Sequence, residues 1–270
     1  MTASDKEFTG SIPEFYDTYL VPLIFDSYAE DLARRVVRLS PNNLLETAAG
    51  SGVVPRALSP LLGRDANYVV SDLNQPMLDH AATKQGTDDR LKWQQADAQN
   101  LPFDSASFDV VFCQYGVMFY PDRVKGYTEA NRVLVDGGSY IFSVWDKIEE
   151  NEFADIVTQT AAKVFPDDPP RFLPRTPHGY NDFATINDEL DAAGFSNVSI
   201  DTIAKVSRAP SPRHPAIAYC QGTPLRNEIE SRDANSLQHV TDLAATAIEK
   251  IYGAGPVEAK IQAHIVTAVK

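Results

Sequence analysis

Two cysteines in 270 residues, Cys113 and Cys220, stand far apart and form neither a disulfide framework nor a metal-ligand spacing. The five histidines, His80, His178, His214, His239 and His264, make no HxH or HxxxH pair, so no metal site is expected. No apolar run approaches the ~20 residues that cross a bilayer, and Met1 to Glu7 is polar, without the apolar core of a signal peptide. A cytoplasmic protein without a membrane partner is the expectation. Positive charge is also scarce: 24 Lys and Arg against 37 Asp and Glu leave a net charge of -13. Such an excess repels phosphate backbones and excludes nucleic acid as a natural partner. The one basic cluster, Arg34, Arg35 and Arg38, falls in a helical stretch and reads as a solvated face. Oligomeric state is not legible.

What is present is ordinary globular material, 43% hydrophobic and 23% charged. Ile12, Phe15, Tyr16, Tyr19 and Leu20, then Tyr28, Leu32, Val36 and Leu39, recur at helical spacing. From Asn43 short apolar runs alternate with helical segments. Strands are predicted at Asn43–Thr47, Tyr68–Asp72, Leu91–Gln95, Phe108–Gln114 and Ser139–Trp145, with helices at Val53–Leu62, Gln75–Lys84, Pro121–Val133 and Asn151–Val164. That alternation implies βαβ units and a mostly parallel α/β sheet. Beyond Trp145 the pattern weakens. Pro166–Pro177 reads as a constrained loop, Asp182–Ala193 as a helix stopped by Gly194, and Val198–Val206 as a strand. Arg208–Pro215 is proline-rich, Thr223–Tyr252 is a helical insert, and Ala259–Val269 fits an edge strand. The chain is expected to be a single domain over 1–270: a helical cap (1–40), a core (41–145), a lid and insert (146–256) and a last strand (257–270).

The densest signal is Leu44-Leu45-Glu46-Thr47-Ala48-Ala49-Gly50-Ser51-Gly52, a strand running into a turn of small residues before a helix. Small residues let a ligand lie against bare backbone, at the carboxyl end of a parallel strand, where open α/β sheets bind ligands. The turn lacks the third glycine of GxGxxG, where Val53 stands. About twenty residues on, the next strand ends in Asp72, placed to accept from ribose hydroxyls or to cap the helix near Gln75. Asp97, in Ala96-Asp97-Ala98-Gln99-Asn100-Leu101-Pro102-Phe103, follows the third strand and suits an exocyclic amine of adenine. The fourth strand ends at Gln114, before a turn at Gly116.

In order and spacing, ETAAGSG, VVSDLN, ADAQNLPF, FDVVFCQYGVMF and RVLVDGGSYIFSVW resemble the consecutive motifs of class I S-adenosylmethionine-dependent methyltransferases, and most of all the type 11, ubiquinone/menaquinone-biosynthesis-like group. The likeness covers roughly Leu44 to Trp145. It implies a three-layer Rossmann-like sheet of seven strands, order 3-2-1-4-5-7-6, the last antiparallel. It also implies S-adenosylmethionine as cofactor. Glu46 and the backbone at Ala48, Gly50 and Gly52 would hold its methionine part and Asp72 its ribose. Leu73 and Met77 would lie beside the adenosine, Asp97 and Ala98 against adenine, and Gln114 and Gly116 along the methyl-transfer face. Tyr16 and Tyr19, in the helical cap, would cover it or simply pack onto the core. Ala48 departs from the usual glycine, and a positive φ there would weaken binding.

Methyl transfer needs a base only if the acceptor must lose a proton; the candidates are His178 and Tyr180. Cys113 reads as a buried strand residue. The acceptor is expected to be a small apolar or aromatic molecule, received by the first forty residues, Trp145–Pro177 and Arg208–Tyr252, with Phe153, Phe165, Phe172, Phe183 and Tyr219 as apolar surface. Two other readings compete: a nicotinamide-dependent oxidoreductase, which shares the turn and the ribose acid, and a non-catalytic binding module on the same fold.

Overall fold

The structure, a computed structural model, describes residues 12–270. The first eleven residues of the expected helical cap lie outside it. One helical turn, Ile12–Phe15, leads into a wide π-helical segment, Tyr16–Phe25, and then α1, Asp26–Arg38. In α1 the buried stripe is Tyr28, Ala29, Leu32, Ala33 and Val36, the helical spacing seen in the sequence. Arg34 pairs with Glu30 and Arg35 with Asp31 and Asp201, so the arginines are a paired, partly solvated face.

The alternating core follows as β1 (Asn43–Glu46), α2 (Val53–Leu58), β2 (Asn67–Asp72), α3 (Gln75–Gln85), β3 (Leu91–Gln95), β4 (Phe108–Gln114), α4 (Arg123–Val133) and β5 (Leu134–Trp145). Then come α5 (Glu152–Val164), a single turn at Phe172–Arg175, α6 (Phe183–Ala192), β6 (Ser196–Ala209), α7 (Arg213–Gln221), α8 (Leu225–Arg232), α9 (Leu237–Tyr252) and β7 (Val257–Val269). The seven strands run in the order β3-β2-β1-β4-β5-β7-β6. The pairs β1–β2, β1–β4, β2–β3 and β4–β5 are parallel. Gly137 N and Lys270 N exchange bonds with Lys270 O and Gly138 O, while Asp146 N reaches Gln262 O. Partners that descend as β5 ascends make β7 antiparallel. The central strands are apolar on both faces, as in β4, where Val110, Val111, Phe112 and Cys113 are fully buried, because helices cover both sides.

Three sequence expectations change. Ala259–Val269 is not an edge strand: β7 lies between β5 and β6, and Ala263–Val266 is buried without a break. The edge on that side is β6, whose half-exposed alternation made it legible. β5 begins at Leu134 rather than Ser139, because Asp136-Gly137-Gly138 continues the strand through a left-handed Gly137 (φ 78°) where the sequence reads as a turn. The proline-rich Arg208–Pro215 stretch runs into α7, since Pro215 sits in the first turn, where a helix has no use for an N–H.

The described chain divides into two compact units. One holds the chain up to Phe25, Trp145–Tyr180 and Ile203–Ala263; the other holds Asp26–Val144, Asn181–Thr202 and His264–Lys270. In the first, Glu152 accepts from Tyr252 Oη and Lys260 N, and Glu228 receives Arg175 and the amides of Arg171 and Phe172. The second contains β1–β4, with Tyr127 stacked on Phe142 (5.3 Å) and Tyr68 against Phe112 (5.7 Å).

Phe112 has no exposed surface and sits at the middle of the parallel core. Phe112→Ala is expected to cost about 3–5 kcal/mol in a denaturant titration, whereas Phe183→Ala, at an exposed ring, costs under ~1 kcal/mol.

Candidate functional site

The carboxyl ends of β1, β2, β3 and β4 stand side by side in the second unit, and most of the sequence-predicted residues are on them. The turn after β1 is tied down on both flanks: Thr47 N donates to Phe112 O and Ala49 N to Ser71 O, each at 3.0 Å. Asp72 closes it. One carboxylate oxygen accepts from Gly50 N and the other from Asn74 N, both at 2.8 Å. Asp72 therefore makes a local turn at Asn74 and does not cap α3 further in. Burial pushes its carboxyl above the ordinary range, against the lowering pull of the Asn74, Gly50 and Leu73 amides.

The backbone is left-handed at Ala48 (φ 54°), Gly50 (φ 56°) and Gly52 (φ 76°). A Cβ on Gly52 would meet Ala81 Cβ of α3 at 2.8 Å, so α3 lies against that glycine. Ala48 stands where the resemblance implies glycine, and its φ is the strained one, which costs roughly 1 kcal/mol. Its methyl, however, points at Gly116: a Cβ there would come within 2.5 Å of Ala48 Cβ and 2.6 Å of Cys113 Sγ. Gly116 thus makes room for the Ala48 methyl.

Glu46 is nine-tenths hidden and more, with 1% of its surface exposed. Its Oε2 accepts from the Tyr68 hydroxyl of β2. Burial, with the Asp72 charge adding to it, raises Glu46 to about 8, and the Tyr68 bond and Arg56 only partly offset this. Beside it Cys113 is pushed up to about 11 by burial and holds its proton, as expected of a buried strand residue. Met77 approaches the turn from α3, Leu73 is exposed at the end of β2, and Gln95 Nε2 holds Leu73 O at 2.9 Å. Asp97 is exposed, one oxygen accepting from Gln99 N, with Ala98 half-buried next to it. Gln114 ends β4, half-buried.

The other predicted residues belong to the first unit. Tyr16 packs on Phe25 (5.2 Å), and Tyr19 on Phe15 (5.8 Å) and His214 (4.9 Å). His178 is buried, with Nδ1 2.8 Å from Asp146 O, and burial lowers it to about 4, so it is neutral at pH 7. Tyr180 is buried. Phe153 has no accessible surface and packs edge-on against Tyr252, which takes it off any acceptor surface; Phe172 and Tyr219 are interior as well.

Sequence reasoning missed Tyr68 and Ser51. Tyr68 carried a signal: a tyrosine in a strand otherwise apolar needs a partner for its hydroxyl, and the register Leu44↔Tyr68 sets it on the face that Glu46 shares two residues on. Ser51 is buried, and its hydroxyl has no partner among the described residues.

These features fit S-adenosylmethionine. A buried hydroxyl without a partner costs about 1–3 kcal/mol until a ligand supplies one. Next to it, a Cβ on Gly50 would meet only the Met77 methyl at 4.0 Å, which leaves bare backbone open to a ligand. The donor set is acidic, Glu46, Asp72 and Asp97, as suits an ammonium, ribose hydroxyls and an amine rather than a phosphate.

Comparison with known proteins points the same way. A family profile described as "Methyltransferase domain" matches residues 45–142. The ubiquinone/menaquinone biosynthesis C-methyltransferase UbiE of Marinomonas sp. (strain MWYL1) is 26% identical over 174 residues, 60% of this chain and 69% of that protein. The UbiE of Brucella anthropi is 33% identical over 108 residues, 39% of this chain and 41% of its own length. The crystal structure of the YcgJ protein from Bacillus subtilis shares the fold, with a TM-score of 0.57 at 18% identity over 90% of this chain and 98% of that one. Over residues 45–142 the chain carries a methyltransferase domain, and it is similar to the class I S-adenosylmethionine-dependent methyltransferases of the UbiE-like group. It is a methyltransferase whose cofactor is S-adenosylmethionine, and the nicotinamide and non-catalytic readings fall away.

Two outcomes follow for this methyltransferase. Gly116→Ala is expected to destabilise, and part of that cost disappears in the Ala48→Gly background; a double-mutant cycle on thermal or denaturant unfolding should give a coupling of about 1 kcal/mol. Glu46 binds its proton more tightly folded than unfolded. The native chain therefore holds more protons between about pH 4.5 and 8, and the stability this gives is lost as pH rises through that window. Glu46→Gln should match wild type near pH 4 and exceed it by roughly 4 kcal/mol at pH 9, with a correspondingly higher Tm. An offset equal at both pH values would contradict the burial of a neutral carboxyl.

Proposed function

We propose that the protein methylates a small hydroxylated aromatic acceptor, with Glu46 and the turn backbone at Ala48, Gly50 and Gly52 holding the methionine part of S-adenosylmethionine. Asp72 takes the ribose, Leu73 and Met77 flank the adenosine, and Asp97 and Ala98 meet the adenine. Gln114 and Gly116 border the methyl. The observation that carries this is the row of acids at successive strand tips beside open backbone at Gly50. The acceptor class rests on the relatives named for C-methylation in ubiquinone and menaquinone biosynthesis.

When bound, S-adenosylmethionine supplies an activated methyl on a sulfonium. The protein's task is then alignment and exclusion of water. The bonds from Asp72 to Gly50 N and Asn74 N fix the carboxylate before any ligand binds and leave each oxygen a further lone pair for a ribose hydroxyl. His178, neutral at pH 7, has the protonation state of a base, but at about 4 it holds a proton weakly. A substrate already ionised, or one activated by its own ring, suits this chain better than one that depends on His178. Tyr180 is the second candidate.

The test is methyl transfer from labelled S-adenosylmethionine to a panel of hydroquinones, phenols, amines and thiols. Label is expected on the hydroxylated aromatics, and Asp72→Asn should lower kcat/KM by roughly a hundredfold. Label confined to amines or thiols would overturn the acceptor class.

A further inference from the structure

We propose that Tyr68 and Glu46 form a proton-holding pair, in which Glu46 is the neutral acid in the ligand-free protein and becomes a carboxylate on binding an ammonium-bearing ligand, while Tyr68 keeps the group in place. This rests on the reading of Glu46 as the contact for the methionine part.

The geometry is that of a carboxyl with nowhere to put a charge. Glu46 is 1% exposed at the end of a central strand. One oxygen accepts from Tyr68; Oε1 has no hydrogen-bond partner among the described residues. No ion pair reaches Glu46 among them. The groups that face it are Tyr68 and Asp72 from β2, Arg56 from α2 and Cys113 from β4. Arg56, the one cation in that set, turns its Nη1 to Ser51 O at 2.7 Å. Asp72 is a like charge and Cys113 a neutral thiol. A buried carboxyl so placed keeps its proton, and its rise to about 8 agrees. Tyr68, pushed well above its ordinary range, stays protonated and donates to Oε2 in both states.

Bringing an α-ammonium beside Oε1 reverses the balance, because the carboxylate gains an opposite charge where it had none. The Glu46 O–H bond breaks, the proton passes to solvent, and the ligand's ammonium keeps its own; nothing is oxidised or reduced. Tyr68 is a positioning residue: it presents Oε1 to the ligand and favours the ionised form.

Isothermal titration with S-adenosylhomocysteine in phosphate and in Tris at matched pH reads the proton directly. About 0.9 proton should be released per site at pH 7, falling to nearly none by pH 9.5. Affinity should rise about tenfold per pH unit below 7 and level above 8. Glu46→Gln should release none and bind with no such pH slope, which separates Glu46 from Asp72. Tyr68→Phe should move the slope to higher pH; a uniform loss of affinity at every pH would mean Tyr68 only packs. 5′-Methylthioadenosine, which lacks the ammonium, should release no proton from wild type. S-adenosylhomocysteine binding without proton release by wild type overturns the inference and leaves the cofactor reading standing. No binding of S-adenosylhomocysteine at all overturns that reading and the inference with it.

Discussion

The carboxylate of Asp72 is the joint on which the site turns. It holds the Gly50 amide with one oxygen and the Asn74 amide with the other, and so fixes the turn after β1 to the exit of β2. Without that bond the left-handed run at Ala48, Gly50 and Gly52 would keep only the Ala49 N and Thr47 N backbone bonds to β2 and β4, beside the Arg56 side chain on Ser51 O. Charge-assisted bonds to backbone amides are among the stronger ones a protein makes, and here two of them set a loop that must be ordered before it can receive a ligand. Each oxygen keeps a lone pair beyond these bonds.

The turn also shows how a local rule is broken and repaired. Alanine at φ 54° is strained, and the strain persists because a neighbour gives way: Gly116 leaves the volume that the Ala48 methyl fills. The positive φ expected to matter at Ala48 is present, and the methyl lies against Gly116. The strain is stored next to the proposed site, where strained backbone is commonly found.

Much of this was legible in the chain because parallel sheets advertise themselves. β3 and β4 have the bounds the pattern gave; β4, buried on both faces, is a short apolar run with sharp ends. Glu46 and Asp72 were legible because each closes a short, mostly buried strand. What escaped depends on partners far away in sequence. That β7 is interior is a matter of topology, which periodicity does not encode; the order came from resemblance. α7 was hidden by prolines that a first turn tolerates. Tyr68 looked like one more β-former, and its importance comes only from the register that sets it on Glu46's face. Phe153 looked like an acceptor surface and is core, because an aromatic at helical spacing has the same signature in either place.

A crystal structure of the complex with S-adenosylhomocysteine tests the central claim most directly. The account predicts that Asp72 keeps its bonds to Gly50 N and Asn74 N while accepting from the ribose hydroxyls, with the ligand's ammonium beside Glu46 and its chain lying over the Gly50 backbone. A ligand whose ribose sits away from Asp72, or whose binding displaces Asp72 from the Gly50 amide, would contradict it.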